Sequence, residues 1–221
     1  MDSEVFVEME SFQFTKTGQA ACGDDIQIKV LKDENRYLAV LSDGLGSGVK
    51  AHVLANMTTT MALRYLQSNM DTLQSVETIM DSLPVCEVRK ISYSTFSMID
   101  LRLGGITRIV EMGNPQYIQL RGTEEVAPLK HETIVSEHWP DRQVECYELK
   151  NGAGGSSDRL FRRCDPVRIG GGAAVPFRLA PFRGNGLCAG ENCRKSGNVL
   201  VRIGAFDRLS GVRHFQKHLQ R

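Results

Sequence analysis

Residues 41–51 read LSDGLGSGVKA and join a short apolar strand pattern, Tyr37–Leu41, to a helical pattern. Asp43 stands at the end of that strand, and the glycines that follow permit a sharp turn. A second acid, Asp24, also stands at the end of an apolar strand pattern. Hard divalent cations bind carboxylate and carbonyl oxygens, and Gly44 has no side chain to obstruct a backbone carbonyl. We therefore expect half of a metal site here.

Three other interpretations of the glycine loop compete with a metal site. A phosphate-binding P-loop needs Gly-Lys-Ser/Thr, whereas Lys50 lies between Val49 and Ala51. A dinucleotide fingerprint needs G-x-G-x-x-G, and the glycines at 44, 46 and 48 have the wrong last spacing. An ordinary Asp-Gly turn after a strand stays open, although the second strand-end acid favours the metal.

The composition allows one folded domain, because 41% of the 221 residues are apolar. The net charge of +1 conceals a balance of −8 over residues 1–150 and +9 over residues 151–221. The six cysteines are scattered, and no early apolar stretch resembles a signal peptide. No apolar run has the length of a membrane span. We expect a cytoplasmic protein with no membrane partner.

Periodicity predicts two helices in the first two-thirds of the chain. The first covers Val49–Leu66, and the second begins after an N-cap at Asp71 and stops before Pro84. The first helix is amphipathic, with apolar positions at residues 54, 57, 61 and 65. Strands are predicted at Val5–Phe14, Ile26–Leu31, Tyr37–Leu41, Ile91–Leu101, Ile106–Met112, Tyr117–Arg121 and Gln143–Leu149. This order predicts an α+β fold, with an antiparallel sheet packed against helices.

Four motifs, in this order, carry a resemblance to a known family. They are GQAACGD at 18–24, LSDGLGSGVKA at 41–51, YSTFSMID at 93–100 and MGNP at 112–115, followed by Arg121-Gly122. Together they resemble the sporulation stage II protein E group of PPM-type (type 2C) metal-dependent serine/threonine phosphatases. The likeness spans roughly residues 10–150. It implies a β-sandwich flanked by helices, with two Mn²⁺ or Mg²⁺ ions at one end.

The resemblance also implies a site and a function. Asp24 would bridge the two ions and Asp43 would be the next ligand, with the Gly44 carbonyl beside it; Asp25 is the alternative to Asp24. Water activated between the ions would hydrolyse phosphoserine or phosphothreonine on a protein, such as an anti-sigma factor antagonist. No nucleic-acid partner is then expected. We expect Asp100, at the end of a strand, to be structural.

Residues 152–221 do not continue the pattern. They hold 12 Gly, 11 Arg and 2 Lys, and their apolar residues follow no sustained period. A basic tail of this kind is typical of a non-catalytic interaction protein or a nucleic-acid-binding protein, which is the alternative function. The family instead expects a buried strand ending in Ser-Asp-Gly-Val, whose Asp binds the second metal.

The genetic code offers a third interpretation of the tail. Residues 162–170 can be encoded by CGA CGG TGT GAC CCA GTC CGG ATT GGG, and reading one base later gives Asp-Gly-Val-Thr-Gln-Ser-Gly-Leu. The same offset over residues 154–162 permits Val-Val-Leu-Leu-Ile-Val-Phe-Ser, the expected buried strand. We therefore expect residues 1–151 to be the first two-thirds of a phosphatase domain, incomplete at its C-terminus. Residues 152–221 would be out-of-frame translation that packs poorly on the rest.

Overall fold

The computed structural model describes residues 4–13, 15, 18, 20–46, 48–83, 94–121, 124–140, 142–151, 158–162 and 198–206. These residues form eleven strands, two α-helices and one 3-10 turn. The strands are β1 (Glu4–Phe12), β2 (Asp24–Leu31), β3 (Arg36–Asp43), β4 (Phe96–Arg102), β5 (Ile106–Met112), β6 (Tyr117–Arg121), β7 (Glu124–Glu125), β8 (Lys130–Ile134), β9 (Val144–Lys150), β10 (Asp158–Arg162) and β11 (Asn198–Phe206). The helices are α1 (Val49–Gln67) and α2 (Thr72–Ser82), and the 3-10 turn is Lys32–Glu34.

Two antiparallel sheets make up the β-structure. The six-stranded sheet has the order β2-β3-β4-β5-β9-β8, and the five-stranded sheet has the order β1-β11-β10-β6-β7. Side chains from both sheets meet in one apolar core, which contains Leu41, Ile99 and Tyr147 from the larger sheet and Tyr117 from the smaller one. The two sheets therefore form a sandwich, and the predicted α+β class is confirmed.

A second core lies on the outer face of the six-stranded sheet. There Val40, Phe96 and Met98 pack with Ala62 of α1 and Ile79 of α2. Within the described residues both helices cover this sheet, so β3 and β4 are buried on both faces. Neither α1 nor α2, in the part of the chain that the structure describes, combines the length and apolar character needed to cross a bilayer.

Helix α1 has the predicted extent to within one residue, and the predicted positions Met61 and Tyr65 pack, partly buried, against the second core. Its buried side chains are small, and they are Ala51, Ala55, Thr58, Thr59 and Ala62. Met57, one of the predicted apolar positions, is 53% exposed. Small side chains at the fully buried positions let the helix lie close to β2 and β3.

Helix α2 begins as predicted. The Asp71 side chain accepts hydrogen bonds from the backbone N–H groups of Leu73 (3.0 Å) and Gln74 (3.2 Å). An N-cap of this kind satisfies donors that the first helical turn leaves unpaired. The helix ends at Ser82, and Pro84 lies outside the described residues.

The tail contributes two strands to the five-stranded sheet. β11 pairs with β1 over Glu4–Phe12, and β10 lies between β11 and β6. Two segments of the tail thus pair with strands from residues 1–151, while poor packing of residues 152–221 as a whole stays a prediction. The other tail residues lie outside the described ranges.

Candidate metal centre

The register of β2 and β3 brings the two predicted acids together. Asp24 is the antiparallel partner of Asp43, so both side chains project from the same face of the sheet. Directly opposed residues have Cβ atoms about 4.5–5.5 Å apart. Ile26 and Leu41 lie on this same face and pack into the core between the sheets. The two carboxylates therefore lie at one end of the sandwich, with Asp24 buried and Asp43 partly exposed.

Asp25 occupies the opposite face of β2. Its carboxylate accepts a short hydrogen bond from the Thr59 hydroxyl, and further bonds from Asn56 Nδ2 (3.3 Å) and Gln27 Nε2 (3.3 Å). Asn56 and Thr59 belong to α1, so Asp25 fastens the helix to the edge strand. This geometry separates the roles of the two neighbouring acids: Asp24 faces Asp43, and Asp25 faces the helix.

Gly44 lies where β3 meets the first turn of α1. Its N–H donates to the Gly23 carbonyl at 3.1 Å, which extends the β2–β3 pairing beyond the two acids. A Cβ atom at Gly44 would lie 2.1 Å from the Ala51 carbonyl oxygen. Only glycine fits at this position. The loop then turns through Gly46 and Gly48, whose φ angles are 105° and 77°, as the sequence predicted for a strand–turn–helix connection.

The later motifs converge on the end of β3. Thr95, just before β4, donates its N–H to the Asp43 carbonyl at 3.0 Å. The Asp43 N–H in turn donates to Thr95 Oγ1 at 3.3 Å. Thr95 also bonds Asn114, in the turn after β5. Periodicity alone gave no role to Thr95 or Asn114; their place in the quoted motifs was the only signal.

The local electrostatics favour a cation. Burial raises the pKa of the Cys22 thiol, and the negative charges of Asp24, Asp43 and Asp25 raise it further, against a lowering backbone hydrogen bond at Asp24. The thiol therefore lies within the field of all three carboxylates. An excess of negative charge at one end of the sandwich lowers the electrostatic cost of bringing in a divalent cation.

The donors present suit a hard metal. Asp24, Asp43 and the backbone at Gly44 offer oxygen atoms, which Mg²⁺ and Mn²⁺ prefer. No group of three or more His, Cys, Asp or Glu side chains that could hold an ion occurs within the described residues. The residues fit one side of such a centre. Asp165 and Asp207 of the tail lie outside the described ranges.

Asp100 has the structural role expected of it. The Arg36 guanidinium, 2% exposed, donates from Nε to Asp100 Oδ1 at 2.7 Å and from Nη2 to Oδ2 at 2.8 Å. Arg36 also donates to the Leu66 carbonyl and to Asn69 Oδ1. This buried pair lies at the start of β3, the end remote from Asp43, and fixes the C-terminus of α1.

Comparison with known proteins places the fold. No family model matches the sequence, and no curated protein matches it. Solved structures do match, and they share the architecture of the PP2C-type phosphatase domain. The phosphatase domain of SpoIIE from Bacillus subtilis is 18% identical, with a TM-score of 0.55, and the alignment covers 94% of this chain and 96% of that domain.

Two further structures agree. RsbX in complex with magnesium is 16% identical over 93% of this chain and 100% of its own, with a TM-score of 0.54. The RsbU and RsbW domains of Rv1364c from Mycobacterium tuberculosis give 14% identity over 90% of this chain and 61% of theirs, with a TM-score of 0.55. The chain therefore has the fold of PP2C-type phosphatase domains, as its motifs predicted.

Proposed function

We propose that this chain derives from a metal-dependent protein phosphatase that hydrolyses phosphoserine or phosphothreonine on a protein substrate. The observation that carries the proposal is the Asp24–Asp43 pair, held opposite each other beside Gly44 at one end of a PP2C-type sandwich. In this proposal the two carboxylates are metal ligands, and no side chain of the protein acts as the nucleophile in the hydrolysis.

The roles of the residues follow from their chemistry. Asp24 would bridge two ions, Asp43 would bind one of them, and Gly44 leaves space for a backbone carbonyl to approach. Bound Mn²⁺ or Mg²⁺ supplies an acidified water and neutralises the charge on the phosphoryl oxygens. The structurally similar protein RsbX was solved in complex with magnesium, which supports a divalent cation of this kind.

The substrate is proposed by analogy. The structural neighbours include the RsbU and RsbW domains and a stressosome component, which are bacterial regulatory proteins. A phosphorylated regulator in the cytoplasm, such as an anti-sigma factor antagonist, is the substrate class that these likenesses support. We propose no nucleic-acid or membrane partner.

We further propose that residues 152–221 are read out of frame. The pairing of β10 supports this proposal, because it shows where a residue that follows β10 would lie. Arg162, the last residue of β10, pairs with Tyr117 at the start of β6. Tyr117 follows the turn whose Asn114 bonds Thr95 beside Asp43, so β10 ends at the end of the sandwich that holds the two acids. The shifted frame places the Asp of Asp-Gly-Val directly after the position of residue 162. It would supply the carboxylate that the described residues lack.

The experiment for the function uses a chain in which the frame is restored near Gly152. Asp24→Ala and Asp43→Ala should each lower Mn²⁺-dependent hydrolysis of a phosphopeptide by about a hundredfold or more, since metal activation supplies several kcal/mol. Asp25→Ala is the matched control, and it should lower activity less. Activity within a few-fold of wild type in Asp43→Ala would refute the assignment. An inactive restored protein that folds would favour the non-catalytic alternative.

The frame itself is tested by sequencing the coding DNA and by comparing the two chains. The present chain should bind Mn²⁺ weakly and hydrolyse p-nitrophenyl phosphate slowly or not at all. The restored chain should bind Mn²⁺ more tightly and hydrolyse p-nitrophenyl phosphate faster. Full Mn²⁺-dependent activity in the present chain would contradict the proposal. Asp165 and Asp207 would then be the first residues to substitute as ligands.

A further inference from the structure

A directed series of hydrogen bonds leads away from Asp43 into the sandwich. The Asp43 N–H donates to Thr95 Oγ1 at 3.3 Å. The Thr95 hydroxyl has one hydrogen, which it donates to Asn114 Oδ1 at 2.5 Å. The hydroxyl thus accepts from the site and donates to the turn.

The series continues to a buried carboxylate. Asn114 Nδ2 donates to Ser97 Oγ at 2.7 Å, and the Ser97 hydroxyl donates to Glu111 Oε1 at 3.3 Å. Glu111 is 4% exposed, and its other oxygen accepts the Tyr117 N–H at 3.3 Å. In each of the three side-chain bonds from Thr95 to Glu111, the donor lies on the Asp43 side and the acceptor on the Glu111 side. The Asn114 amide lies with its oxygen towards the Thr95 hydroxyl and its nitrogen towards the Ser97 hydroxyl.

The backbone of the turn is shaped for this contact. Gly113 has a φ of 70°, and a Cβ atom there would lie 3.0 Å from Thr95 Cγ2. Glycine therefore lets the turn approach Thr95 closely enough for Asn114 to reach its hydroxyl. The Thr95 N–H also donates to the Asp43 carbonyl at 3.0 Å, so Thr95 holds both peptide groups of Asp43.

We propose that Thr95 and Asn114 are positioning residues that set the backbone of Asp43 and hence the direction of its carboxylate. The inference rests on the proposed function, in which Asp43 is a metal ligand. Neither residue is placed to touch the ion; each acts through Asp43. Loss of such supporting hydrogen bonds typically costs about 10–100-fold in metal affinity.

The chain contains a matched control at the other end of β5. Thr107 is 2% exposed, and its hydroxyl donates to Asn151 Oδ1 at 2.6 Å. Thr107→Val thus removes the same kind of partly buried Thr–Asn bond as Thr95→Val, but at the opposite end of β5. Thr95→Ser keeps the hydroxyl and serves as the conservative replacement.

The experiment measures the Mn²⁺ dissociation constant by electron paramagnetic resonance, and the unfolding free energy by urea titration, on the full chain and on its frame-restored form. Thr95→Val and Asn114→Ala should raise the dissociation constant at least about tenfold. Thr107→Val and Thr95→Ser should leave it within about twofold. If Thr95→Val weakens Mn²⁺ binding no more than Thr107→Val does, the role is merely structural and the proposal is wrong.

A second readout separates this proposal from the proposed function. If neither wild-type form binds Mn²⁺, the metal site itself is refuted. Exchange of the Asp43 amide hydrogen, followed by NMR, then decides the positioning role. It should be roughly tenfold or more faster in Thr95→Val than in Thr107→Val, because the Asp43 N–H loses its acceptor, and equal rates would overturn the proposal.

Discussion

Replacing Gly44 by alanine tests the geometry of the site without touching a carboxylate. The added methyl carbon would lie 2.1 Å from the Ala51 carbonyl oxygen, 2.6 Å from the Ala51 carbonyl carbon and 2.8 Å from the Gly23 carbonyl oxygen. All three are backbone atoms, so no side chain can rotate away. Either the first turn of α1 or the end of β3 must move.

The size of the effect follows from these distances. Opening a 2.1 Å contact to the 3.0 Å that real Cβ atoms require needs a displacement of about 1 Å. Overpacking of this kind typically costs about 1–3 kcal/mol. Because Gly44 follows Asp43 directly in the chain, strain at this contact should also disturb Asp43, and the Mn²⁺ affinity should fall together with the stability.

Gly23→Ala is the control, because it adds the same methyl group just before the partner strand β2. Its Cβ would meet Ala51 Cβ at 3.4 Å, an ordinary contact. Urea unfolding followed by circular dichroism should show a change within about 0.5 kcal/mol for Gly23→Ala. If Gly44→Ala is as stable as Gly23→Ala and binds Mn²⁺ equally well, the close packing of α1 against Gly44 is wrong.

Three further predictions concern other parts of the fold. Asp25→Asn should lower the unfolding free energy by about 1–3 kcal/mol, because it disturbs buried hydrogen bonds to α1, yet leave the Mn²⁺ affinity measured by titration within a few-fold. Arg36→Leu should cost about 3–5 kcal/mol in urea unfolding, because Asp100 is left as an unpaired buried charge, and Arg36→Leu/Asp100→Leu should recover part of it. Burial raises the pKa of Cys146 from 9.0 to about 11, so the unfolded chain loses this proton first and stability falls as pH rises through that range. Unfolding of Cys146→Ala, measured from pH 9 to 11, should show a smaller decline, and an identical decline would contradict the assignment.

The sequence could predict the elements whose signal is local. Helix α2 was predictable because Asp71 caps it, and β5 and β6 have the predicted bounds because their burial is marked by apolar side chains. Strand β8 has no such signal. Its first four residues are exposed on the edge of the sheet, so neither alternation nor an apolar run marks it.

The site was predictable only in part, for a physical reason. A strand-end acid followed by glycine is visible in the sequence, but the register that sets Asp24 against Asp43 depends on pairing across the sheet. The bond between Thr95 and Asp43 joins residues 52 positions apart. No local preference encodes a contact of that separation, so the resemblance supplied the residues and the structure supplied their geometry.

The division of the fold between the two sheets bears on how a frame slip would act. Every strand of the six-stranded sheet, together with α1 and α2, comes from residues before 152, and this sheet carries both Asp24 and Asp43. The five-stranded sheet instead depends on β10 and β11, which separate β1 from β6. A change of frame after residue 151 therefore leaves the pairing of the two acids intact, while it alters the strands that close the sandwich over them. The two acids face the core between the sheets. Metal-dependent hydrolysis and folding stability would therefore be lost together, although Asp24, Asp43 and Gly44 are unchanged.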